Sequence, residues 1–259
     1  MSADPITSPE AWLAQLMFVM LRIGGAFLAA PVVSALAMPL RARLVLTVGL
    51  AAGVMGTIDL APPPPLTTPG GMVAAAGEVL AGLLIGFVLQ LALAAALVAG
   101  EQIAAGAGLS FAAINDPQTG AMSPALSNFL MLFMTLLFLG LDGHLLLIQA
   151  VVASYAALPP GDAWPGAARL LAVAGFASQL FAGGMAVALP VVAALFALNL
   201  ALGVLTRTAP QLNIFAVGIP VTITAGLLML AVALPALAGR MVAVIAEGVA
   251  MLDAVQAPR

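Results

Sequence analysis

The chain has 259 residues, of which 64% are hydrophobic and only 7% charged, with a formal net charge of −3. A soluble domain carries about 25% charged residues, so a globular fold in water is excluded and lipid is the expected solvent for most of the chain, in line with a mean hydropathy of +1.21. The lack of cysteine excludes a disulfide framework and thiolate metal sites, and seven scattered arginines with no lysine form no basic patch for nucleic acid.

Residues 1–10 are polar and contain no basic residue. A secretory signal opens on a positive segment, so the first apolar run, 11–38, is read as a retained membrane segment. It carries one charge, Arg22, and is punctuated by Pro31 and Pro39. A second run covers 44–58. Pro62, Pro63, Pro64, Pro65 and Pro69 then make 59–71 a stiff, extended connector, because proline lacks the helical donor and clashes with the preceding turn.

The third run, 72–100, is interrupted only by Glu78 and leads into a Gly/Ala-rich stretch at 101–110. Residues 115–124 hold two prolines and a glycine and read as loop. A fourth run, 125–141, stops at Asp142-Gly143-His144, and a fifth, 145–158, stops at Pro159-Pro160-Gly161. The sixth, 167–206, contains Gly183, Gly184 and Pro190. After a polar interruption at 207–211 the seventh, 212–237, contains Pro220 and Pro235, and 240–253 reads as a separate short amphipathic piece.

These runs are apolar all round, so periodicity does not classify them and length does. A helix rises about 1.5 Å per residue against a hydrocarbon core of about 30 Å. The third, sixth and seventh runs are long enough to span, whereas the fifth reaches only about 21 Å. The positive-inside rule places Arg41, Arg43 and Arg207 on one side. Five intervening spans would separate them, and dropping the fifth run reunites them. A simple serpentine is therefore not expected. Backbone breaks are tolerated in a membrane only where protein or water lines them, so burial against partner subunits is predicted. No internal repeat is evident, and the reading is one all-α integral membrane domain with broken helices and hairpins.

Few residues offer chemistry. Glu78 and Glu101 flank a long uncharged stretch. A carboxylate inside a membrane is a functional candidate because its uncompensated charge is expensive. The plainer expectation for Glu78 is a solvated or capping position near a helix start, where an acid suits the positive helix end. For Glu101 the functional and structural readings weigh equally. Asp142 and His144 stand two apart and share no helix face. With one histidine and no cysteine they complete neither a zinc site nor a triad, and a polar turn is favoured. Arg207, Gln211 and Asn213 sit between two apolar helices, where a hairpin tip outranks a transporter site. There is no P-loop, dinucleotide fingerprint or HExxH motif. No catalytic, metal or cofactor site is expected, and no enzyme.

Four strings are similar to one family. They are LRIGGAFLAAPVVSALAMPLRARLVLTVGL at 21–50, GEQIAAGAGLSFAAINDPQTG at 100–120, FLGLDGHLLLIQAVVASYAALPPG at 138–161, and ALNLALGVLTRTAPQLNIFAVGIPVTITAGLL at 197–228. The last carries an R-x-A-P-Q-L-N-x-F core on Arg207, Ala209, Pro210, Gln211, Leu212, Asn213 and Phe215. With them, the chain resembles the FliR family of the flagellar type III export gate over residues 15–240.

That resemblance implies a multi-pass protein of the bacterial inner membrane, surrounded by lipid and placed in the flagellar basal body. It implies assembly with FliP and FliQ around a pore for unfolded flagellar proteins, with FlhB and FlhA as further partners. It implies a FliP-like first part and a FliQ-like C-terminal hairpin at 167–253. It also implies a plug loop within 106–124, on Phe111, Ala112, Ala113, Ile114, Asn115, Asp116, Pro117, Gln118, Thr119 and Gly120. Gly106 and Gly108 precede it and permit close backbone approach. Alternatives are a virulence injectisome subunit of the same fold, a secondary transporter, and a membrane enzyme using His144.

Overall fold

The computed structural model describes residues 9–33, 38–58, 60–109, 125–209 and 218–256. The elements among them are all helices: α1 (Pro9–Ala29), α2 (Leu40–Thr57), α3 (Pro69–Gly106), α4 (Ala125–Gly140), α5 (Gly143–Ala157), α6 (Gly166–Phe176), α7 (Ser178–Thr208) and α8 (Ile219–Gln256). Five stretches are long and apolar enough to cross a membrane: α1, α2, α3, α6 with α7, and α8. The pair α4 and α5 passes that test only together, bent by 65° at its break, as a broken span or a re-entrant segment.

Several expectations change. The extended connector is shorter than 59–71, because α3 starts at Pro69. The start is set locally: Thr68 Oγ1 accepts from the Gly71 N–H at 3.1 Å, an N-cap, and proline suits the first helical position. The piece at 240–253 is not separate, since α8 continues through Pro235 for 38 residues, about 57 Å. α7 likewise continues through Pro190.

Backbone contacts divide the chain into two compact units, residues 1–91, 141–177 and 247–259, and residues 92–140 and 178–246. In the first, α1 lies against α3 with backbones in close approach. A Cβ on Gly82 or Gly86 of α3 would overlap the Arg22 or Ala26 carbonyl, and one on Gly25 would stand 2.6 Å from the Val79 carbonyl oxygen. Small residues one turn apart permit such approach between apolar helices. Phe18, Val19, Ile23 and Ala26 fill the seam. In the second unit, Gly184 packs against Ala95 and Val98, and Gly100 against Ser127. Leu93, Leu130, Met134, Val187 and Leu195 form its interior.

Coverage is uneven. In the most apolar window of α3, 61% of residues are buried, against 17% for α2 and 22% for α8. Leu44, Val45, Leu46 and Val48 on α2, and Leu227, Leu228 and Val232 on α8, stay exposed in this single chain.

Candidate functional site

Arg22 is the only charge on the buried part of α1 and Glu78 the only charge on α3 before Glu101. Both side chains are fully buried in the first unit, and Arg22 Nε donates to Glu78 Oε2 at 2.7 Å. This is the one ion pair among the described residues. The second carboxylate oxygen, Oε1, accepts from the Gly161 N–H at 2.9 Å. Arg22 Nη1 donates to Ser154 Oγ on α5 at 3.1 Å, and Ser154 in turn donates to the Val151 carbonyl at 2.6 Å. The guanidinium lies over the Tyr155 ring, 4.2 Å from its centroid, and the Tyr155 hydroxyl donates to the Val19 carbonyl at 3.0 Å. Arg22 Nη2 is buried with no hydrogen-bond partner among the described residues.

The arrangement follows from the cost of charge in apolar surroundings. A buried ion is tolerated when paired and further hydrogen-bonded. Planar guanidinium serves here as a fork, taking a carboxylate, a hydroxyl and an aromatic face at once. Three helices and one loop are therefore tied to a single point. The loop 158–165 is fixed further by shape: Gly161 has φ +91°, and a Cβ there would stand 2.6 Å from Pro64 Cδ. Gln15 of α1 holds the other connector, donating from Nε2 to the Leu60 carbonyl at 2.9 Å.

Glu78 thus departs from the solvated or capping position expected for it. It stands well inside α3, which begins at Pro69, and is wholly buried. The signal was present in the sequence: a lone cation in one apolar run and a lone anion in another compensate each other at least cost by pairing. Gly82-x-x-x-Gly86 was a second signal for the helix seam. Neither pattern alone names Ser154, Tyr155 or Gly161.

The other candidates are not brought to this centre. Glu101, in the second unit, is exposed in the single chain and accepts from Ser127 Oγ at 2.8 Å. Asp142 and His144 are both exposed. Asp142 adopts the left-handed region, φ 56°, and its carbonyl accepts the Leu145 and Leu146 N–H groups that open α5. Arg207 is exposed in the last turn of α7, and Ala209 donates to the Leu205 carbonyl. Pro210, Gln211, Leu212, Asn213 and Phe215 lie outside the described residues, as do Phe111 to Gly120. Gly106 is the last residue of α3, and Gly108 follows with φ +79°. Asn199 of α7 donates to the Gly106 carbonyl at 3.0 Å, a contact that sequence reading did not single out. No group of three or more metal-ligating side chains occurs among the described residues.

Residues 13–248 match the family described as bacterial export proteins, family 1. The chain is 36% identical over 240 residues to the flagellar biosynthetic protein FliR of Escherichia coli K12, covering 90% of each chain. It is 35% identical to the protein of that name from Caulobacter vibrioides, covering 90% of this chain and 92% of the relative. The Bacillus subtilis protein of the same name is 33% identical, with 83% and 84% covered. A match of this extent is decisive: the chain belongs to family 1 of the bacterial export proteins, the FliR family.

Proposed function

We propose that the chain is a core subunit of the flagellar protein export gate, joining FliP and FliQ around the pore through which unfolded flagellar proteins leave the cell. The observation that carries this reading is the family match across 13–248. The fold supports it physically. Long apolar helices make it a multi-pass membrane protein, and α2 and α8 leave large apolar side chains uncovered in the single chain. Partner helices and lipid would bury them. On this reading the membrane is the bacterial inner membrane at the basal body, and FlhA and FlhB are neighbours. Residues 167–253 form the FliQ-like hairpin and the preceding part is FliP-like. The flagellar names of the relatives favour the flagellar system over an injectisome.

The test is assembly. Co-expressed with cognate FliP and FliQ and extracted in mild detergent, a tagged chain should elute in a defined complex whose subunits native mass spectrometry counts. A lone chain with both partners left behind would contradict the reading. The plug role of 111–120 rests on the family resemblance. Deleting 115–120 should then raise ion leakage in cells expressing the whole gate, and unchanged leakage would remove that role.

A further inference from the structure

A groove of about 340 Å³ runs between α1 and α2 in the first unit. Its walls are Met17, Met20, Leu21 and Leu28 of α1 with Leu40 and Leu44 of α2. This volume falls within the range of small-molecule sites, about 300–1,000 Å³. From Met17 to Leu28 the α1 wall runs about 16 Å, long enough for a stretch of acyl chain. Among these apolar walls stands one cation, Arg43. Its Nε is buried and has no hydrogen-bond partner among the described residues. Arg22–Glu78 being the one ion pair there, no described acid neutralises Arg43. Arg41, exposed in the same first turn, adds a second positive charge, and that turn has no acidic residue.

An apolar trough with an unpaired guanidinium at one end matches one chemistry. The occupant needs a hydrocarbon chain and an anionic oxygen group. We propose that this groove holds one anionic phospholipid, an acyl chain lying along α1 and its phosphate on Arg43. Guanidinium binds phosphate in a fork, and basic residues at the membrane surface select anionic headgroups. Arg43 sits in the first turn of α2, at the end of the helix where a headgroup would lie, and the groove extends from there beside the C-terminal half of α1. The exposed apolar face of α2, with Val45 71% accessible, is in keeping with lipid beside it.

Gly24 provides a way to block the trough without touching the charge. A Cβ there would meet only the Thr47 methyl, at 3.9 Å, so a longer side chain can enter the groove. Gly49 of α2 has nothing within 4 Å of such a Cβ and supplies the control. The full chain is purified in mild detergent and mixed with micelles containing equal phosphatidylglycerol and phosphatidylcholine. Native mass spectrometry then counts retained lipid, with circular dichroism verifying the helicity of each variant. The unaltered chain should keep one phosphatidylglycerol in preference to phosphatidylcholine. Arg43→Gln should lower phosphatidylglycerol retention roughly fivefold, Arg43→Lys should restore much of it, Gly24→Leu should lose both lipids, and Gly49→Leu should change nothing. Equal retention of the two lipids by the unaltered chain, no retained lipid, or unchanged retention in Gly24→Leu would overturn the proposal.

Discussion

The two compact units are built from helices of similar apolar character, yet they are held by different means. The first ties α1, α3, α5 and the 158–165 loop to one buried charge pair, Arg22–Glu78. The second has no buried ion pair among its described residues. Its specific contacts are glycine-mediated approaches at Gly100, Gly184 and Gly226, with two more exposed polar contacts, Ser127–Glu101 and Asn199–Gly106. The difference teaches where direction comes from in an apolar chain. Between such helices the hydrophobic effect supplies no preferred partner in lipid. A buried ion pair does, because it is costly in every arrangement except one. The second unit lacks that constraint, and its α7 and α8 present large side chains such as Phe181, Phe196 and Val232 outward.

This contrast is sharpest at Glu78. Glu78→Ala leaves a buried guanidinium uncompensated and should cost about 3–5 kcal/mol, read as thermal destabilisation of the purified chain in detergent. Next in size is Gly82→Leu, which forces α1 off α3. Overpacking of this kind costs about 1–3 kcal/mol, and loss of recovery from membranes is the expected sign. Tyr155→Phe keeps the ring beneath Arg22 and removes only the bond to the Val19 carbonyl, about 1 kcal/mol. Gly53→Ala on α2 should have the opposite sign. Nothing lies within 4 Å of the added methyl, and replacing a helical glycine gains about 0.5–1 kcal/mol. Glu101→Gln in the second unit should change the midpoint least, within about 0.5 kcal/mol, since the amide oxygen still accepts from Ser127. A loss at Glu101 matching that at Glu78 would erase the distinction between the units.

Much of the helical plan is legible in the sequence. The first five apolar runs correspond to α1 to α5 with shifted ends, whereas the sixth is two helices, α6 and α7, parted at Ala177, and the seventh joins the piece after Arg240 in α8. The breaks were less legible, since Pro190 and Pro235 lie inside continuous helices while Pro159 and Pro160 end one. Proline alone does not decide, because neighbouring helices in a membrane can re-satisfy the freed backbone groups. Glu78 shows the second limit. Its distance from the helix start favoured a capping or solvated acid, but its partner is 56 residues away on α1. Pairings of that range come from packing, which local pattern does not contain. Tyr155, Ser154 and the Gly161 N–H join the centre for the same reason.

A double-mutant cycle on Arg22 and Glu78 tests most directly whether this pair organises the first unit. Arg22→Met, Glu78→Leu and the double variant would be purified in one detergent and their thermal unfolding midpoints compared with that of the unaltered chain. Each single variant should unfold at a markedly lower temperature, and the double variant should recover most of the loss, because it removes both charges while keeping apolar bulk. A double variant as destabilised as the sum of the two singles would mean that the charges act independently, and the central role given to the pair would be wrong.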